Sequence, residues 1–218
     1  MQFLGFITAK NLFRVFWYGL ILYLSYLMVL ITLQYIPFKS DAAFLRIKDD
    51  VIGLWYYKLA FIGHVYTSIF ILFAGIIQFI PFIQIQYPQI HRITGRVYAF
   101  MILLISGPCG LIMGYYANGA WISQISFCLL ACLWMIFTFK GVEKVLVRSI
   151  TEHRIWMIRS YALTLSALSL RLWKWIMVGI FQPRPMDVYH IVSWLGWVGN
   201  LLIAEIIIYR TIKMRKAV

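Results

Sequence analysis

Charge is what this sequence has least of. Only 12% of its 218 residues are Asp, Glu, Lys or Arg, and just seven of those are acidic. A soluble domain carries about 25% charged residues, so much of the solvating surface of such a fold is missing. Cysteine is scarce too. Cys109, Cys128 and Cys132 all fall inside apolar stretches, and no CxxC motif occurs. They are expected to pack as small apolar groups and say little about redox compartment. The first apolar block lacks a small-residue cleavage site and is too long for a signal-peptide core, so it is expected to remain as a span.

What is present is hydrophobic: 63% of the chain. These residues gather in blocks close to the ~20 residues that cross a bilayer as a helix. The expected fold class is all-α, a polytopic membrane helical bundle of about six transmembrane helices forming one domain over residues 1–218. The spans read as about 15–36, 59–80, 96–117, 121–139, 159–181 and 188–209. Pro37, Pro81, Pro88, the Asn118-Gly119 pair, the Lys140–Arg154 stretch and Pro183/Pro185 punctuate them. A short interfacial helix is expected near Ala42–Lys48 in the first loop.

The net charge of +13 raises the question of nucleic acid. The basic residues, however, sit at the ends of apolar blocks, where they orient helices and meet anionic lipid. With the N-terminus inside, thirteen lysines and arginines fall on the cytoplasmic side and five outside. The expected location is therefore the inner membrane, with both termini cytoplasmic, the lipid bilayer as partner and no nucleic acid.

The chain also echoes itself. It reads His91-Arg92-Ile93, then Arg96-Val97-Tyr98-Ala99, and sixty-two residues on His153-Arg154-Ile155, then Arg159-Ser160-Tyr161-Ala162. Both copies open an inside-to-outside span. The echo points to a parallel repeat of a two-helix unit, spans two and three followed by four and five. Transporters also use internal repeats, so the echo alone fixes no function.

Polar side chains in hydrocarbon are costly and usually face the bundle interior with a role. Arg171 lies twelve residues beyond Arg159, roughly 18 Å along the helix at ~1.5 Å per residue, close to the bilayer centre. Helical spacing puts His153, Met157, Ser160, Thr164 and Arg171 on one stripe of span five. For Ser68, Ser160 and Thr164 ordinary interhelical hydrogen bonds explain the pattern. For Arg171 the reading is a functional buried charge.

Only four histidines occur, and they lie on spans two, three, five and six. His91 and His153 fall at the cytoplasmic side, His64 and His190 toward the outer side. Two-and-two histidines on facing helices are what bis-histidine ligation of b-type haem requires. Arg92, Arg96, Arg154 and Arg159 are then candidates for the haem propionates. Zinc is a poorer reading, because no cysteine or carboxylate completes a four-ligand set nearby.

The runs His91–Tyr98 and His153–Thr164 resemble a bacterial family of predicted membrane proteins, domain-of-unknown-function family 2306. His64, Gly75-Ile76-Ile77-Gln78-Phe79, Leu170-Arg171-Leu172 and Trp194-Leu195-Gly196-Trp197 with Asn200 and Glu205 are also similar to it. The resemblance spans roughly residues 58–205 and implies a multi-helix membrane fold without an activity. A weaker likeness is to the ascorbate-reducing di-haem membrane cytochromes b. There the present sequence departs, since the position matching His64 in the repeat is near Ser126.

The leading expectation is a membrane b-type haem redox protein, a membrane oxidoreductase passing electrons between a quinone or cytoplasmic donor and an outer-side acceptor. His91 and His153 are its axial ligands, His64 and His190 a second pair, and Arg171 steadies an anionic intermediate or semiquinone. The competing expectation is a haem-free bundle that binds or moves a small anion or lipid on Arg171. An assembly factor is the third. In the second reading Ser106-Gly107-Pro108-Cys109-Gly110 breaks span three; in its plainer form that run only kinks the helix.

Overall fold

The computed structural model describes residues 9–216. It is built from helices: α1 (Ala9–Leu33), a 3-10 turn (Ala43–Ile47), α2 (Trp55–Gln78), α3 (Pro81–Gln86), α4 (Pro88–Met101), a π segment (Ile102–Ser106), α5 (Gly107–Tyr115), α6 (Ala120–Leu146), α7 (Ile150–Thr164), α8 (Ser166–Phe181) and α9 (Pro185–Lys216). No strand occurs among the described residues. A helix keeps every interior backbone N–H and C=O paired within itself, which hydrocarbon demands.

Five stretches are each long and apolar enough to cross a bilayer: Val15–Leu33, Trp55–Gln78, Pro88–Tyr115, Ala120–Leu146 and Pro185–Ile212. The pair α7 and α8 passes the same test jointly, bent by 41°. Contacts with α9 show how that pair runs. Arg159 meets Glu205, Ala162 and Ser169 meet Asn200, and Leu170 meets Gly196. The two partners thus move in opposite directions along α9 on both sides of the bend. α7 and α8 together form one broken span, giving six crossings.

The helix ends reach further than hydropathy alone indicates. Span three starts at Pro88 rather than 96, and span five at Ile150 rather than 159. Span four continues to Leu146 rather than 139, whereas span one stops short, at Leu33 rather than 36, ahead of Pro37. Polar turns continue a helix into the headgroup layer, where an apolar window no longer detects them. Pro88 and Pro185 each open a helix, where the missing N–H is not needed. Gly119, at φ +84, turns the chain from α5 into α6 in the left-handed region that a side chain disfavours.

Span three is not broken at Ser106–Gly110. The π segment carries the helix through, with the Gly107 N–H bonded to the Ile102 carbonyl, and Pro108 follows at the start of α5. Proline has no N–H to give, and the wider turn absorbs that loss.

Ile71, Ala74, Tyr98, Ile102, Trp134, Leu163 and Trp197 form the central core. The echo is built into it reciprocally. Tyr98 of the first copy reaches Ser160 and Thr164 of the second, at 2.9 and 2.8 Å. Tyr161 of the second copy lies over Gly75 of α2 and stacks on Phe79 at 5.1 Å between ring centres.

Candidate functional site

His64 lies nine residues into α2 from Trp55, and Arg171 ten residues into α8 from Phe181. At ~1.5 Å per residue both sit ~14–15 Å from the same face, half-way through a ~30 Å hydrocarbon layer. His64 Nδ1 donates to the Ser106 carbonyl at 2.8 Å, and Ser106 Oγ lies 3.2 Å from the same nitrogen. Ser68 Oγ is 3.0 Å from Ser106 Oγ. The π segment and two glycines make this packing possible. A methyl at Gly110 would lie 3.0 Å from the His64 ring, and one at Gly63 would lie 2.9 Å from Cys109 Sγ. Because a carbonyl can only accept, Nδ1 of His64 carries the proton and Nε2 keeps its lone pair.

Arg171 has no such company. Its Nη1 donates at 2.8 Å to the Ala167 carbonyl, one turn back on its own helix. Among the described residues no carboxylate pairs with it. It lines a narrow cavity of about 10 Å³, walled by Leu24, Leu27, Met28 and Ile31 of α1 and by Leu168 and Trp175 of α8. The stripe expected on span five does not survive the bend at Leu165. Ser160 and Thr164 turn into the core toward Tyr98, while Arg171 faces α1. His64 and Tyr35 lie within electrostatic range of the guanidinium.

His91 lies within electrostatic range of His153, at the face where α1 begins and α9 ends. His153 Nδ1 donates to the Gly141 carbonyl at 2.7 Å. Nδ1 of His91 is buried with no hydrogen-bond partner. Gln78 fixes the backbone there, donating to the His91 carbonyl at 3.0 Å and to Thr94 Oγ1 at 2.5 Å. Arg92, Arg96 and Arg154 are exposed, and among the described residues they take part in no ion pair. Arg159 is already engaged. It clasps Glu205 through two bonds of 2.6 and 2.9 Å and lies over Trp156 at 4.7 Å.

His190 is elsewhere, at the opposite face, where Nε2 donates to the Gly119 carbonyl at 2.8 Å. His64 and His190 each give one ring N–H to a backbone carbonyl, of Ser106 and of Gly119, and keep the other ring nitrogen free. For His91 and His153 the donor chemistry fits, with one ring nitrogen orphaned and the other ring oriented by a carbonyl as ligating histidines are. The two best-formed cavities, of about 20 and 10 Å³, are lined by no histidine. A porphyrin at His91 and His153 would sit among helix ends rather than in an internal slot. No cluster of three or more His, Cys, Asp or Glu side chains is poised for a metal ion among the described residues.

Two features escape a sequence reading. Ser106, fully buried, organises His64 and Ser68. Lys48 is 2% exposed and bonds the Tyr116 carbonyl and, at 2.5 Å, Asn118 Oδ1, pinning the first loop to the α5–α6 turn. Ser106 stands out in the linear pattern only as the first residue of the Ser106–Gly110 run, and nothing there flags the burial of Lys48. The Tyr98–Ser160 pair did leave a signal, since its separation of 62 residues equals that of His91 and His153.

Residues 61–208 match the family described as Predicted membrane protein (DUF2306), and the chain belongs to that family. No curated protein and no solved structure matches the chain, and nothing in these comparisons supports the likeness to cytochromes b.

Proposed function

We propose that this member of a membrane-protein family is an anion-binding bundle that holds an acidic group at Arg171, inside the bilayer. One observation carries the reading: a mid-membrane guanidinium whose hydrogen bond goes to its own helix and which has no carboxylate partner. A guanidinium has five N–H donors, so most of its bonding capacity is left for a ligand. Insertion of an arginine at this depth costs ~2.5–3.5 kcal/mol, and a bound anion offsets that cost. The test is thermal stability of purified protein against a panel of acids. A ligand that binds only the folded state raises the melting temperature, and Arg171→Leu should abolish the rise while keeping the helical spectrum. A rise of the same size in the Leu variant would exclude Arg171 as the anchor.

A second reading rests on a different observation, the unpartnered Nδ1 of His91 beside His153. In it these two histidines are axial ligands of haem b, and Arg92, Arg96 and Arg154 receive its propionates. Bound haem would supply one-electron chemistry, with a quinone as a suitable partner. Arg159 is excluded from that role by Glu205. An absorption spectrum decides it: low-spin bis-histidine bands lost in both His91→Ala and His153→Ala support the reading, and colourless protein from haem-replete cells removes it.

Both readings place the chain in the inner membrane with its termini in the cytoplasm, supported by the thirteen-to-five basic bias. Reporters fused after Val218 and inserted at Asn118 should respond from opposite sides, the first cytoplasmic.

A further inference from the structure

The surroundings of Arg171 narrow what kind of acid it would take. Every other side chain lining its cavity is apolar: Leu24, Leu27, Met28, Ile31, Leu168 and Trp175. A small hydrated anion would shed its water there and find, beyond Arg171, no donor in the wall but the single indole N–H of Trp175. An acid with a hydrocarbon tail meets a different balance, because its tail keeps apolar surroundings throughout and only the headgroup needs the guanidinium. The cavity itself, about 10 Å³, holds no more than a headgroup atom or a water. The tail must then lie in the seam between α1 and α8, continuous with the bilayer. That seam is wholly apolar: Ile21, Leu24, Met28 and Ile31 of α1 cluster there with Leu165 and Leu168, over Ile69 and Leu72 of α2.

The wall has a further property. The family match begins at residue 61, so the whole of α1 lies outside it. Four of the seven residues lining the Arg171 cavity thus come from a helix that the family region does not include.

We infer that the ligand of Arg171 is a single-chain, long-tailed carboxylate that enters sideways from the bilayer between α1 and α8. This rests on the anion-binding reading above and names its substrate class. The carboxylate takes the free N–H groups of the guanidinium, a charge-assisted pair that is strong because water is excluded, and the tail packs along Leu24, Leu27 and Trp175.

The test uses the full chain in phosphatidylcholine nanodiscs with a sixteen-carbon fatty acid carrying a diazirine on its tail. Illumination should label peptides of α1 around residues 24–31 and of α8 around 168–175. Arg171→Leu should lower that labelling roughly tenfold or more, as loss of a charge-assisted bond does, and Arg171→Lys should restore part of it. The alcohol of the same tail should not label these peptides above background. Leu27→Trp fills the tail seam without touching the charge, and should reduce labelling while helicity and melting temperature hold. Stabilisation by acetate or chloride through Arg171, without labelling of the seam, would sink the long-tail assignment and leave the anion site standing. Labelling and stabilisation that both ignore Arg171→Leu would remove both.

Discussion

Arg159 and Glu205 face each other across α7 and α9 as a two-pronged ion pair, Nε to Oε1 at 2.6 Å and Nη2 to Oε2 at 2.9 Å. The same guanidinium lies over the Trp156 ring, 4.7 Å from its centre. Side-chain exposures of 22% and 49% put the pair between buried and surface regimes. Exposed pairs contribute ~0–1 kcal/mol, whereas breaking a buried one costs ~3–5 kcal/mol. A double-mutant cycle with Arg159→Leu and Glu205→Leu should therefore return a coupling on the order of 1 kcal/mol, read from unfolding in mild detergent. Additive single effects would show that the two charges are held by the headgroup layer and not by each other.

Gly75 is a position where the fold admits no side chain. A methyl placed there overlaps the ring of Tyr161, which is itself stacked on Phe79. Overpacking of this kind typically costs ~1–3 kcal/mol. Gly75→Ala should lower the melting temperature, and Tyr161→Leu in the same chain should recover much of the loss by clearing the ring. A double variant no more stable than Gly75→Ala alone would place the strain elsewhere.

These cases show what was legible beforehand. The six crossings followed from long apolar blocks, and the 3-10 turn at Ala43–Ile47 fell where a short interfacial helix was expected. The meeting of the two copies of the repeat at Tyr98 and Ser160 was readable because a repeat places equivalent residues at equivalent depths. The bend at Leu165 was not, since no Pro or Gly marks it, and it is the bend that separates Arg171 from Ser160 and Thr164. Hydropathy reports how deep a residue lies. It does not report which neighbour a helix turns toward, so the seating of His64 on the Ser106 carbonyl and the capture of Arg159 by Glu205 were not legible in it.

Lys48 gives the first loop a pH-dependent clasp. Burial holds its ammonium below the ordinary lysine value of 10.5, with Asp50 opposing. The unfolded chain then binds more protons than the folded one in the window between the lowered value and 10.5. Stability should rise with pH through that window and be lost again as pH falls through the folded value. Lys48→Met removes the titrating group. Subtracting its melting temperatures from those of the parent chain should isolate a difference that moves in the parent's favour as the medium becomes alkaline. A difference that is flat with pH would mean that the amine titrates alike in both states.

Tyr98 closes a buried hydroxyl network whose members can be separated by two substitutions. Its hydroxyl meets Ser160 Oγ at 2.9 Å and Thr164 Oγ1 at 2.8 Å. Ser160 keeps Thr138 at 2.7 Å without it, and Thr164 keeps the Trp134 indole N–H at 3.0 Å. Tyr98→Phe thus leaves every partner with another bond and preserves the fully buried ring. Interhelical hydrogen bonds in membranes average ~0.6 kcal/mol each, so two lost bonds should cost about 1 kcal/mol. Tyr98→Ala removes the ring as well, opening a cavity beside Ile71 and Trp134, and large aromatic truncations cost ~3–5 kcal/mol. The expected order in a detergent unfolding series is parent, then Phe slightly below it, then Ala far below. If Phe fell as far as Ala, the hydroxyl rather than the ring would be what joins the two copies of the repeat.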